Sequence, residues 1–151
     1  MAEQKQVGSS QHLTSRSPLY AVADFCLIPM GTPGTSVGPY IAECQRVLEK
    51  LVKRGDLRTY EMHGYGTNLE GTFAQVSAAI EQCHEAVHAK GAPRIATDIR
   101  IGTRTDKPAP TQGTPEQLTS DEQEKKEDWT AGLGENERKR ESVRRILAGD
   151  A

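Results

Sequence analysis

The order of hydrophobic periods between residues 19 and 103 is the feature that most constrains how this chain folds. Alternation of period two predicts strands, and spacings of three and four predict amphipathic helices. The predicted elements are a strand at Tyr20–Ile28, a helix at Val37–Arg54, strands at Thr59–His63 and Thr67–Thr72, a helix at Phe73–Lys90 and a strand at Arg94–Thr103.

This β-α-β-β-α-β order is the split βαβ, or ferredoxin-like, arrangement of the α+β class. Because both crossovers are right-handed, both helices cover one face of a four-stranded antiparallel sheet. The other face of the sheet is left open, and its side chains need solvent, a ligand or a partner.

The remaining residues divide the chain into further segments. Residues 1–18 are rich in Gln and Ser and predict a disordered leader, and 19–106 form the ferredoxin-like domain. Residues 107–134 are rich in Pro, Gly, Thr, Glu and Lys and predict a flexible insert. An apolar spacing resumes afterwards and predicts a C-terminal helix within 135–151.

Composition and charge argue against several classes of protein. The formal net charge is -2, which gives no general attraction to nucleic acid or to an anionic membrane. No stretch approaches the ~20 apolar residues of a membrane span, and residues 1–17 contain no apolar signal-peptide core. Three separated cysteines, Cys26, Cys44 and Cys83, are typical of reduced core thiols, so we expect a cytoplasmic protein.

Three glycines frame one carboxylate in the segment His63–Gly71. Glycine is used where the backbone needs a positive φ or where another group approaches closely. Gly64 and Gly66 fit a hairpin turn between two strands. Glu70 then lies on a short strand, where a buried charge needs a partner.

Acidic residues on the open face form the main candidate site. Asp24 and Asp98 both point away from the helices with Arg100 beside them, and Glu70 joins them if Leu69 faces the helices. Two interpretations remain open: a polar cluster inside a subunit interface, or a group that grips a polar or cationic ligand.

Catalytic motifs receive little support. His84-Glu85-Ala86-Val87-His88 matches H-E-x-x-H, but both histidines flank the apolar stripe of their helix and no third ligand follows. The glycine-rich turn Gly31–Ser36 lacks the lysine of a P-loop. No nucleophile elbow is present, so we expect no enzyme activity, no metal and no cofactor.

Three segments, in the right order, resemble the thiamine-binding-protein family, in particular its fungal members. They are Ile28–Thr32, Gly66–Gly71 and Thr97–Lys107. The resemblance implies a binding protein that recognises thiamine or its hydroxymethylpyrimidine part, and it implies dimers or tetramers that pair their open sheet faces. The long insert before the last helix departs from the family pattern.

The resemblance also implies site residues. Thr67 and Glu70 match the G-T-x-x-E-G motif, and Thr32 follows the first strand. The predicted ligand-binding set is Glu70, Thr67, Asn68, Thr32, Asp24 and Asp98. The alternative function is a structural or regulatory homo-oligomer without a small ligand.

Overall fold

The computed structural model describes residues 18–110 and 132–149. Its elements are β1 (Tyr20–Met30), α1 (Gly38–Arg54), β2 (Thr59–His63), β3 (Gly66–Thr72), α2 (Phe73–Ala89), β4 (Arg94–Thr103) and α3 (Glu135–Ala148). The ferredoxin-like α+β fold and the C-terminal helix are confirmed. Most of the predicted leader and the middle of the predicted insert lie outside the described residues.

The sheet is antiparallel with strand order β2-β3-β1-β4. β3 pairs with β1 only from Tyr20 to Phe25, whereas β4 pairs with β1 from Ala21 to Met30. The end of β1 therefore has a partner on one side only. This explains how β1 continues through Pro29, because proline is tolerated where a strand has an unpaired side.

The core lies between the sheet and helices α1 and α2. The alternation predicted for β1 is confirmed, since Ala21, Ala23, Phe25 and Leu27 are all buried. The helices contribute Tyr40, Cys44, Leu48, Leu51, Val76, Ala79, Ile80, Cys83 and Val87. A fully buried leucine such as Leu48 contributes about 1.5–3 kcal/mol through removal of apolar surface from water.

β4 is an edge strand and is less covered than β1. Ile99 and Ile101 face the helix side but are 47% and 41% exposed. Helix α2 contacts β3 and β1 more extensively than β4, so the outer edge of the helix layer stops short of these two side chains.

Helix α3 lies on the open side of the sheet, beside β2 and β3, where its residues contact Glu61 and Glu70. On the β1–β4 half of that side, Glu135 of α3 reaches Arg104 just beyond the end of β4, whereas Ile28 at the opposite end is 40% exposed. Within residues 18–110 and 132–149, no helix combines the length and apolar character needed to cross a membrane.

Candidate ligand site on the open face of the sheet

Strand register places a row of polar side chains across the open face. Glu61 of β2 pairs with Asn68 of β3, Asn68 pairs with Asp24 of β1, and Asp24 pairs with Arg100 of β4. Directly opposite residues on one face lie within side-chain reach of each other. The row therefore joins all four strands, and the acidic residues expected on this face are indeed on it.

Asp24 has two partners within the chain. Its carboxylate accepts a hydrogen bond from the Arg100 guanidinium and lies 2.8 Å from Nε2 of His63. These contacts, with that from Arg100 the larger, hold the pKa of Asp24 below its usual value. The backbone N–H of Tyr65 donates to Nδ1 of His63 at 3.3 Å, so this cluster also braces the β2–β3 hairpin.

Asp98 lies on the same face, opposite Cys26 in the β1–β4 register. Its side chain is exposed and makes no hydrogen bond or ion pair with any residue in the described ranges. It is therefore one row further along the sheet than Asp24 and is available to a ligand or a second subunit.

Glu70 is 2% exposed, and its carboxylate is fully engaged. Oε2 accepts from the hydroxyl of Tyr20 at 2.8 Å and from the backbone N–H of Glu135 at 2.7 Å. Oε1 accepts from the backbone N–H of Asn136 at 2.7 Å. Such short lengths are typical of charge-assisted hydrogen bonds. A buried carboxylate needs hydrogen-bond partners, and Glu70 has them.

The first turn of α3 explains why a carboxylate from another strand binds there. The N-cap residue is Gly134, which has no side chain to cap the free amides of the helix start. Glu70, which lies on β3, caps these amides instead. The dipole of the helix favours its negative charge. Burial, followed by the charge of Glu70, raises the pKa of Tyr20 well above its usual value.

A cavity of about 760 Å³ lies between the open face and α3 and extends around the β2 edge of the sheet to the end of α1, where Val52 and Gly55 line it. Its polar lining includes Arg58, Glu61, Asn68, Glu70, Asn136, Glu137 and Arg140. An ion pair between Arg140 and Glu61 links the two walls. The side-chain amides of Asn68 and Asn136 form no hydrogen bond with any described residue, so both can serve a ligand.

Of the six predicted site residues, Asn68 and Glu70 line this cavity, and Asp24 and Asp98 lie on the same face of the sheet outside its lining. Thr67 and Thr32 lie elsewhere. Thr67 faces the helices, is 4% exposed and accepts a hydrogen bond from Nε2 of Gln45 at 3.2 Å. Thr32 lies in the loop after β1, where its hydroxyl donates to the carbonyl of Gly34 at 3.0 Å. The structure brings Glu70, Asn68, Asp24 and Asp98 to one face but separates Thr67 and Thr32 from them.

Sequence reasoning missed Tyr20, Glu61, Asn136 and Arg140. Tyr20 lies four residues before Asp24 on β1, so the alternation of the strand already places both side chains on the open face. Glu61 required the register of β2 against β3. Nothing in the sequence indicated which strand α3 would contact.

The two histidines of the H-E-x-x-H motif have different hydrogen-bond partners. Nε2 of His84 lies 2.8 Å from the hydroxyl of Thr97, and Nδ1 of His88 lies 2.8 Å from the carbonyl of Ala92. Burial lowers the pKa of His84. Within the described residues, no group of three or more His, Cys, Asp or Glu side chains is arranged to hold a metal ion.

Fold and site together define a class: a ferredoxin-like domain with a polar cavity between the open sheet face and a C-terminal helix. A family model described as thiamine-binding protein matches residues 23–118. The chain belongs to this family.

Relatives and solved structures agree with this assignment. The UPF0045 protein sll0230 of Synechocystis is 46% identical over 97 residues, which cover 64% of this chain and 75% of the relative. The fungal UPF0045 protein ECM15 of Eremothecium gossypii is 40% identical over 91 residues, covering 60% and 82%. Hypothetical protein MJ1052 of Methanocaldococcus jannascii has a similar crystal structure, with TM-score 0.51, 30% identity, and coverage of 59% and 84%.

Proposed function

We propose that this protein binds thiamine or its hydroxymethylpyrimidine part, without catalysing a reaction, in the cavity between the open face and α3. The observation that carries the proposal is the pair of unengaged amides, Asn68 and Asn136, in the wall of a cavity of about 760 Å³. Such a volume is ordinary for a small-molecule site. The family description supports thiamine, or a part of it, as the ligand.

The chemistry of the cavity suits this ligand. An aminopyrimidine presents both a donor and an acceptor, and a side-chain amide offers the complementary pair. The thiazolium ring is a cation, and the carboxylates of Glu61 and Glu137 line the same space. Arg58 and Arg140 lie there too, so the carboxylates favour the cation only where it approaches them rather than the guanidinium groups.

The exposed end of the β1–β4 half of the open face supports a second part of the proposal. Ile28 is 40% exposed there, and Asp98 is exposed nearby. We propose that a second copy of the chain covers this half, as a dimer or within a tetramer, so that the cavity lies near a subunit interface. A cytoplasmic location fits the free thiols Cys26, Cys44 and Cys83.

Titration calorimetry with thiamine and with hydroxymethylpyrimidine tests the binding. We expect saturable heat with the natural sequence and about tenfold weaker binding for Asn68→Ala, because two hydrogen bonds of ~1 kcal/mol or less each are lost. Gln82→Ala, on α2 behind the sheet, is the control and should bind normally. Absence of heat at millimolar ligand with folded protein would contradict the proposal.

A homo-oligomer without a small ligand is the second candidate. It is favoured by one observation: Asp24 is already satisfied by Arg100 and His63, so its charge does not require a ligand. Native mass spectrometry of protein from its own cells separates the candidates. Under the second candidate, Asp98→Ala dissociates the oligomer and no ligand mass accompanies it. Under the first, a retained ligand is seen.

A further inference from the structure

Helix α3 is attached to the sheet by polar contacts. Its backbone amides bind Glu70, its Glu135 accepts from Arg104 at 2.9 Å, and its Arg140 pairs with Glu61. Its apolar side chains contribute little to this attachment. Val143, Ile146 and Leu147 are 56%, 61% and 82% exposed.

Glu70 is the central contact among these. Arg140 and Glu61 are 42% and 51% exposed, and an exposed ion pair stabilises little. Glu70 by contrast is 2% exposed and binds two amides of the first turn. Removing a buried charge-assisted acceptor leaves its donors without a partner, which is the more damaging loss.

Gly134 shows that the chain is shaped around this contact. A Cβ at Gly134 would lie 3.0 Å and 3.2 Å from the two oxygens of Glu70. The backbone of Gly134, with φ -65 and ψ 161, is extended and open to any residue. Its lack of a side chain therefore matters for room beside the carboxylate rather than for conformation.

We propose that α3 is a detachable lid over the cavity and that Glu70 is its latch. In this arrangement Glu70 is a positioning residue: it holds in place the wall that carries Asn136 and Arg140, and it does not touch the ligand. The docking of α3 through Glu70 follows from the contacts of Glu70 and Gly134 and does not depend on which ligand the cavity binds. Only the effect on ligand affinity rests on the function proposed for the cavity.

Amide hydrogen exchange provides a direct readout of the latch. A helix of 14 residues is marginal on its own, so an undocked α3 exchanges its amides quickly. In the full-length protein, we expect Glu70→Gln to accelerate exchange about tenfold in peptides from 134–149, with β1, α1 and α2 unchanged. Glu85→Gln, exposed on α2, is the control and should leave every peptide unchanged.

Gly134→Ala provides a second test that does not alter the sheet. We expect it to accelerate α3 exchange as well, while Gly34→Ala, where a Cβ meets nothing within 4 Å, does not. Unchanged α3 exchange in both Glu70→Gln and Gly134→Ala would overturn the latch. Rapid α3 exchange in the natural sequence would overturn it too.

Thiamine separates this inference from the proposed function. If both hold, thiamine slows α3 exchange in the natural sequence and binds about tenfold more weakly to Glu70→Gln. If thiamine does not bind but the two variants still release α3, the proposed function fails and the latch stands. If thiamine binds with unchanged affinity to a variant whose α3 exchanges freely, the positioning role is overturned.

Discussion

Gly66→Ala is expected to destabilise the fold through a backbone clash at the start of β3. A Cβ at Gly66 would lie 2.6 Å from the carbonyl oxygen of Phe25 and 3.1 Å from Oδ1 of Asp24. Carbonyl oxygens of a central strand are fixed by the sheet and cannot turn aside. The β1–β3 pairing must therefore separate locally, and the contact of Asp24 with His63 is disturbed.

Gly64 provides a matched control two residues earlier in the same hairpin. A Cβ there meets nothing within 4 Å, and neither Gly64 nor Gly66 has a positive φ. Gly64→Ala should be neutral or stabilise by about 0.4–1 kcal/mol, because alanine restricts the unfolded chain. Gly66→Ala gains the same stability from the restricted unfolded chain, but overpacking in the folded state lowers its stability by about 1–3 kcal/mol.

The expected difference between the two variants is thus about 2 kcal/mol. For a domain of this size that corresponds to roughly 10 °C in Tm. Urea and thermal unfolding followed by circular dichroism measure both quantities, and the slope of the urea transition should stay constant. Equal stabilities, within about 0.5 kcal/mol of each other, would refute the close-approach explanation for Gly66.

Two further predictions concern stability. Thr72→Ala should destabilise by about 1 kcal/mol in urea unfolding, because the capping box between Thr72 and Gln75 is lost, while Thr103→Ala on exposed β4 should change little. Asp24→Asn should lower stability at neutral pH. Since the folded pKa of Asp24 is depressed, its contribution is present above the unfolded value of about 4 and fades as pH falls through the folded value. The stability difference between the variant and the natural protein should therefore shrink in acid, and a difference that persists unchanged would contradict the ion-pair explanation.

The fold was predictable because local patterns and global packing agree. The alternation of Ala21, Ala23, Phe25 and Leu27 matches the buried face of β1, and helix α2 begins at the capping box of Thr72. The prediction was less complete at β4. The residues of β4 alternate as expected. How far α2 covers the helix-facing side chains of β4 depends on the position of the helix, which the periodicity of the sequence does not predict.

The site was predictable only in part for a related reason. Parity along a strand decides which face a side chain takes, so Asp24, Asp98 and Glu70 could be placed together. The same rule places Thr67 on the opposite face from Glu70, since the two are three residues apart on one strand. The G-T-x-x-E-G motif therefore does not form a single contact surface. Thr67 lies on the helix side of the sheet, and Glu70 lies on the open face.

Glu70 shows where sequence reasoning stops. Its burial required partners. One is the hydroxyl of Tyr20, but the other two are backbone amides 65 and 66 residues away, and backbone amides carry no residue signature. The carboxylate that the resemblance assigns to the ligand already accepts hydrogen bonds from α3 and from Tyr20. A ligand that takes Glu70 must therefore release the helix, whereas a ligand held by Asn68 and Asn136 retains it. The two assignments predict opposite changes in α3 exchange when thiamine is added, so one measurement distinguishes a carboxylate that binds the ligand from one that closes the site over it.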